Sequence, residues 1–456
     1  MDKKQRNKIL TVLFIGVLMA ALDIAIVGPA LPAIQKQFNI DERSVSWIFA
    51  VYVLFNLIGT PLMAKLSDVI SRRKIYILDV SLFALGSLVV ALSPHFNILL
   101  AGRAVQGFGA GGIFPVASAV IGDTFPEENR GSALGLIGAV FGIAFIIGPA
   151  LAGVLLLLNW HWLFIINIPI AVIVIYLSLI TIPDKSGRNN NKFDWKGMSL
   201  LIIILSSFAY GLNRVNSAKL LQSFSSLGVF PFFIISLVLI PFFVINEYKI
   251  NDPVLRIKLL NPLQVKLTSI LAMGAGLSEA AVIFIPPLLV SAFSLTASKA
   301  SFMLVPVVIA MAIGSPTAGR MLDKFGSKVV LITGTTLLAA GMFGLTFESM
   351  TITAFYAAAS FIGFGMGFLV GAPLRYIMLR EAKQSERGSA QGMLTVFTGM
   401  GQLFGGVLVG ALASSLGGGV KGLRNAYFWV GIIICVLILI SLRLKNRQRE
   451  FQKTAE

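Results

Sequence analysis

The feature that most constrains this chain is a recurring run of nearly uncharged apolar residues, each about as long as a bilayer is thick. Ile9–Pro29 is the first, and roughly 20 such residues in a helix span a hydrocarbon core of ~30 Å. Further runs follow at 46–64, 75–93, 98–121, 132–158, 162–182, 197–213, 226–246, 265–291, 300–320, 328–346, 352–375, 390–415 and 427–444, which makes fourteen. Lipid offers backbone amides and carbonyls no partners, so each run is expected to be an α-helix and the chain an all-α membrane protein. The alternating segments of about ten residues that build membrane β-barrels are absent. Only 12% of the 456 residues are charged, against about 25% in an ordinary soluble domain. The first run has the length of a span and lacks a cleavage site followed by a hydrophilic region, so it is read as a span rather than a signal peptide.

The net charge of +17 would, in a soluble chain, raise the question of nucleic acid. Its placement points to lipid instead. With the N-terminus in the cytoplasm, 29 of the 37 Lys and Arg fall on the inner side, seven fall on the outer side, and Arg103 lies within a span. That excess puts both termini inside and sets the basic residues beside anionic headgroups of the cell membrane, read as a bacterial cytoplasmic membrane. Membrane lipids are therefore expected partners and nucleic acid is not. The two longest polar interruptions, Ile182–Gly197 and Glu247–Lys266, are both cytoplasmic and bracket two spans. The expected organisation is a six-helix bundle over 1–182, cytoplasmic linkers with two inserted helices over 183–258, and a second six-helix bundle with a basic tail over 259–456. The chain is read as a monomer.

An internal repeat fits this division. The loop after the second span runs Ala64-Lys65-Leu66-Ser67-Asp68 to Ser71-Arg72-Arg73-Lys74, and the loop after the tenth runs Gly319-Arg320-Met321-Leu322-Asp323 to Gly326-Ser327-Lys328. Both follow one pattern of small, basic, hydrophobic and acidic positions. With the two inserted helices set aside, both loops follow the second helix of a six-helix half, as parallel transporter repeats require.

These paired loops resemble the signature of the major facilitator superfamily, and other motifs agree in order. Leu22-Asp23-Ile24-Ala25-Ile26-Val27 with Ala30-Leu31-Pro32 resembles the first-helix motif of its fourteen-span drug:proton antiporters, a multidrug-efflux family. Arg103-Ala104-Val105-Gln106-Gly107 with Gly109-Ala110-Gly111 resembles their fourth-helix motif. Gly148, Pro149 and Gly153 resemble the helix-packing antiporter motif of the fifth helix, and Trp160-His161-Trp162-Leu163-Phe164 through Asn167 and Pro169 resembles the stretch that follows it. The resemblance implies two six-helix bundles plus two inserted helices, and a conformational gate made by Asp68, Arg72, Arg73, Asp123, Asp323 and Arg320. The sequence departs from the pattern where glycines are expected: Ala64, Ser71, Ala144 and Ala152 stand there. Small residues still permit close helix approach, while a tight turn at Ser71 loses the freedom glycine gives it.

Ionisable groups deep in a span are expensive and tend to be functional. Asp23 and Glu279 each lie about 14 residues, or roughly 21 Å, into the first and ninth spans, which are equivalent helices of the two halves. Arg103 enters the fourth span from the outer side at a depth that could reach Asp23. The pair could be a packing ion pair, or a carboxyl whose proton affinity changes with the nearness of Arg103 and water. Glu279 has no evident cationic neighbour in the sequence, which suits protonation or the binding of a cationic substrate. Asp79, one turn into the third span, reads as a local partner of Arg72–Lys74.

Other chemistries lack their residues. Cys435 is the only cysteine, which excludes an internal disulfide or a cysteine-rich metal site. His95 and His161 stand in separate outer loops, so no metal site is expected. Gly417-Gly418-Gly419 lacks the Lys-Ser/Thr of a phosphate loop. No cofactor and no enzymatic chemistry are expected. The sequence points to a proton-coupled antiporter in which protons and a lipophilic, cationic small-molecule substrate compete for Asp23 and Glu279. An anionic or zwitterionic substrate held by Arg103, such as a lipid or metal–tetracycline complex, is the rival expectation; a membrane-embedded lipid enzyme is more remote.

Overall fold

An apolar run in lipid closes its hydrogen bonds within itself, and a computed structural model shows the chain doing so. It describes residues 3–184, 193–250, 253–382 and 386–447. Among these, thirteen helices are long and apolar enough to cross a membrane. In the first part of the chain they are α1 (Lys3–Phe38), α2 (Glu42–Val69), α3 (Arg72–Ala91) and α4 (Phe96–Thr124). Next comes α5 (Glu127–Leu155), a further 29-residue helix at the place of the fifth expected span. After it come α6 (Trp162–Thr181), α7 (Trp195–Arg214), α8 (Phe230–Lys249), α9 (Leu263–Phe293) and α10 (Ala297–Phe325). The last four are α11 (Ser327–Gly344), α12 (Ile352–Glu381), α13 (Arg387–Ser415) and α14 (Gly419–Ser441).

Several spans are interrupted where the sequence requires it. Proline lacks the N–H that an interior helical turn needs. The helix of α9 breaks at Phe284 just before Pro286 and Pro287, and that of α12 breaks at Gly371 before Pro373. The break in α12 places Arg375 on a second helical piece, Ala372–Glu381, although the sequence counts it as a loop charge. The outward faces are apolar: Val172 on α6 is 61% exposed and Leu237 on α8 70%, as lipid solvation allows.

The chain divides into two compact units. One comprises Met1–Ile40, Trp47–Phe193 and Thr296–Phe302. Within it α3 packs along α4, and α1 packs against α5 and α6. The other comprises Asp41–Ser46, Asp194–Leu295 and Met303–Glu456. In it α9 packs along α13, and α7 packs on α8 and α13. The inserted pair is tied at one end by polar groups its apolar sequence does not announce. Asp194 caps α7 by accepting from the Gly197 amide at 2.8 Å, and it also accepts from Asn246 of α8 at 2.9 Å. Glu247, only 2% exposed, accepts from the Leu255 amide at 2.5 Å.

The inner linker that holds Asn190 lies outside the described residues. In a Cys435→Ser background, a cysteine at Asn190 should react with an impermeant thiol reagent only from the cytoplasm, and one at Lys219 only from outside. Labelling of both from the same side would break the two-helix insertion.

Candidate functional site

In the first unit, the first-helix and fourth-helix motifs meet at a closed polar cage. Asp23 of α1 and Arg103 of α4 are both fully buried. Arg103 Nη1 donates to Asp23 Oδ2 at 2.7 Å and to Gln106 Oε1 at 2.6 Å. Gln106, one helical turn along α4, donates through Nε2 to Asp23 Oδ1 at 2.7 Å and to Ser87 Oγ of α3 at 2.8 Å. Asn167, at the start of the main piece of α6, lies 3.3 Å from both Asp23 Oδ1 and Ser87 Oγ. The guanidinium is fixed further by the Ile48 carbonyl of α2, which accepts from Nε at 3.0 Å, and by the Tyr52 ring, whose centroid is 4.2 Å from Cζ. A cation over an aromatic face in a desolvated site gains from the ring quadrupole. Arg103 Nη2 and the Tyr52 hydroxyl are buried without a hydrogen-bond partner among the described residues.

Desolvating two charges is costly, and their attraction offsets that only when the remaining lone pairs and protons are also satisfied. Gln106 and Asn167 largely do this for Asp23, and Ser87 accepts from both of those amides. Sequence reading found the ion pair from its two charged members. Gln106 and Asn167 stand in the sequence only as members of motifs, and the signal for Ser87 is no more than a polar residue on the α3 face that meets α4.

In the second unit, Glu279 of α9 is partly buried. Its Oε2 accepts from Gln402 Nε2 of α13 at 2.6 Å. The Arg375 guanidinium on the second piece of α12 lies within electrostatic reach of it. Glu279 therefore does have a cationic neighbour, contrary to the expectation from sequence. The two acids that sequence depth makes equivalent sit in different surroundings: a salt-bridged cage for Asp23, and one amide with a more distant cation for Glu279.

The predicted gate residues separate into two groups. Arg72 forms an ion pair with Asp68 one turn back on the chain and reaches Asp123 Oδ2 of α4 through Nε at 3.1 Å. It also donates to Ser67 Oγ at 2.7 Å. Arg73 instead pairs with Asp184, beyond the end of α6, at 2.7 Å. Asp184 is a clasp residue the sequence did not single out. Ser71 donates to Asp184 Oδ1 at 2.6 Å while capping α3. These contacts, led by the Ser71 hydroxyl and followed by the Arg73 guanidinium, hold the Asp184 carboxyl below the usual carboxylate value. A lowered value means the clasp is charged above the ordinary range and is lost only as pH falls through the lowered value.

Ser71 takes the glycine position of the pattern at no backbone cost, since its φ is −176°. The matching Gly326 has φ +83°, where a side chain would be strained. Asp323 and Arg320 are exposed, and neither forms an ion pair among the described residues. In that unit the ion pair at the end of α12 is Glu381 with Lys445, 2.6 Å apart.

Gly148 presses against Ala25 of α1, two residues from Asp23, and a Cβ there would overlap the Ala25 methyl. The carbonyls of Pro149 and Gly153 each accept from a serine at 2.6 Å, Ser301 and Ser298 respectively. Asp79 departs from the sequence expectation. It is fully buried, and neither carboxyl oxygen has a hydrogen-bond partner among the described residues. It stands five to seven positions beyond Arg72–Lys74, whereas helical neighbours meet at three or four.

The family model described as Major Facilitator Superfamily matches residues 13–278 and 267–456. A Bacillus subtilis protein, the uncharacterized MFS-type transporter YfiU, is 34% identical over 410 residues, covering 88% of this chain and 78% of that one. The multidrug transporter protein MdtP of the same organism is 28% identical over 422 residues, covering 91% and 77%. The riboflavin transporter RibZ of Clostridioides difficile is 24% identical over 451 residues, covering 96% and 97%. Among solved structures, a bacterial homolog to the human lysosomal transporter Spinster superposes with a TM-score of 0.71 over 99% of each chain at 14% identity, a likeness of fold.

Proposed function

The chain belongs to the major facilitator superfamily, a multi-pass membrane transporter rather than an enzyme, and we propose that it is a proton-coupled antiporter that exports lipophilic cations. The Asp23 cage is the observation that carries this reading. A carboxylate that accepts from Arg103, Gln106 and Asn167 at once loses acceptor capacity when a proton arrives, and Arg103 loses its counter-charge. Protonation and opening of the cage are thus one event, which is what coupling a proton to a conformational change requires. Glu279 supplies negative charge in the equivalent helix of the other half, with one amide donor among the described residues, which leaves acceptor capacity for a cation or a proton. The naming of a relative, MdtP, as a multidrug transporter protein supports drugs as the kind of cargo; the cationic part of the reading rests on the acids. The deciding experiment reconstitutes the purified protein in vesicles. An imposed pH gradient should drive uphill movement of a lipophilic cationic dye, and substrate addition should release protons from the detergent-solubilised protein. Uphill movement indifferent to the pH gradient would end the antiport reading.

A second reading, export of an anionic or zwitterionic compound, gains from Arg375 near Glu279. It does not gain from Arg103, whose guanidinium is committed within the cage.

The Asp68–Arg72–Asp123 contacts are proposed to hold the ends of α2, α3 and α4 together in one conformation. Asp68→Asn should cut transport at least severalfold while leaving the protein inserted and folded, because an amide cannot make the charge-assisted contact. Initial rates in vesicles, normalised to inserted protein, check this; a wild-type rate assigns Asp68 to ordinary solvation.

A further inference from the structure

Asp79 is a buried acid that the reading above leaves without a role. Among the described residues both its oxygens lack hydrogen-bond partners, and so do the hydroxyls of Tyr76 on the same helix and Ser178 on α6. All three side chains are fully buried, and α6 packs along α3. From α4, Gly112 faces the carboxyl so closely that a Cβ would overlap it. Absence of a side chain there is what admits an acid into the α3–α4 seam.

The position has a definite level in the bundle. Along α3, Asp79 lies about 10 Å from Arg72 of the clasp and about 12 Å from Ser87 of the cage, at 1.5 Å per residue. It is therefore midway between the cytoplasmic contacts and the Asp23 network. Among the described residues no cation pairs with it from the surrounding helices. The charges of α4 are engaged at other levels, Arg103 with Asp23 and Asp123 with Arg72. The main piece of α6 carries no Asp, Glu, Lys or Arg, and α1 presents Gly16 to the Tyr76 hydroxyl. The ionisable neighbour is Tyr76 itself. A carboxylate in such a place is disfavoured unless it is neutralised or hydrated, and buried unpaired polar groups are where water enters when a bundle opens.

We propose that Asp79 is a second proton-carrying group, the relay between Asp23 and the cytoplasm. The inference rests on proton coupling through Asp23. In the step it assigns, the Asp23 carboxyl gives up its proton and regains the ion pair with Arg103. That proton arrives on the Asp79 carboxylate through water admitted to the α3–α4 seam. The neutral acid is the form that persists when the seam is dry, and the next opening releases its proton toward the Arg72 end.

The test uses the whole protein in vesicles, with three measurements on wild type, Asp79→Asn and Asp79→Glu. Asp79→Asn should bind dye and exchange it downhill as wild type does, yet lose tenfold or more of its uphill rate under a pH gradient. Asp79→Glu, which keeps the acid, should retain most of that rate. Infrared difference spectra taken across a pH step should contain a protonated-carboxyl band that disappears in Asp79→Asn and shifts in Asp79→Glu. If the asparagine protein is not recovered, the shift in the glutamate protein decides the matter. Wild-type uphill rate in Asp79→Asn, or carboxyl bands indifferent to both substitutions, makes Asp79 a neutral packing group and overturns the relay alone. If wild-type protein itself ignores the pH gradient, the coupling reading falls and takes the relay with it.

Discussion

Replacing Asp23 with asparagine should abolish uphill export while leaving substrate binding and downhill exchange intact. Asparagine keeps the shape and can still accept from Gln106, but it never takes up a proton, so the opening of the cage is no longer linked to one. The same change leaves the Arg103 guanidinium buried without a counter-charge. Breaking one side of a buried ion pair costs about 3–5 kcal/mol, so the variant should also unfold more readily. That second effect could be mistaken for the first, and the double variant Asp23→Asn with Arg103→Gln separates them. Removing both charges should restore much of the stability, since a neutral cage no longer carries an uncompensated ion, but should leave uphill transport absent. The measurements are thermal stability in detergent and dye accumulation under an imposed pH gradient. If the double variant recovers both, the cage is a packing device and the coupling proton resides elsewhere. If the single variant pumps uphill at the wild-type rate, Asp23 has no part in coupling.

Why the cage was half legible from sequence follows from cost. A charge within an apolar run is conspicuous because lipid penalises it, so Asp23, Arg103 and Glu279 stood out. Ser87, Gln106 and Asn167 carry no such penalty and look like ordinary helix-contact residues until the packing of α1, α3, α4 and α6 brings them together. Asp79 was visible but misassigned. The nearby arginines suggested a local pair, and only helical phase together with the close approach of Gly112 shows that the carboxyl turns into the α3–α4 seam. Asp184 sits in a polar linker where any of several residues could have met Arg73. Arg375 was counted with the loop charges because an apolar run appears to end there. The Gly371 break and Pro373 restart a helix that carries it within reach of Glu279. The fold itself was more legible than the site, since span length and the backbone's need for partners leave few options in lipid.

Replacing Glu279 with glutamine should weaken cationic substrates far more than neutral ones of similar size. Among the described residues the carboxylate is met by one amide, from Gln402 at 2.6 Å, and has acceptor capacity left for a ligand. A glutamine side chain fills the same space and can bond to Gln402, so packing should change little. What it cannot do is offset a positive charge away from water, which is costly without compensation. A loss of roughly 10–100-fold in affinity for cations, about 1.4–2.7 kcal/mol, is expected alongside little change for neutral compounds. Arg375 supplies the control. Its positive charge partly cancels the field of Glu279, so Arg375→Gln should strengthen cation binding in the presence of Glu279 and have less effect in the Glu279→Gln background. Equilibrium binding of matched cationic, neutral and anionic dyes to the four proteins of that cycle reads both residues at once. Equal weakening of cations and neutral compounds by Glu279→Gln defeats the cation argument. If Arg375→Gln instead costs affinity for anions while cations are unmoved, Arg375 is the substrate-facing charge and the exporter takes anionic or zwitterionic compounds.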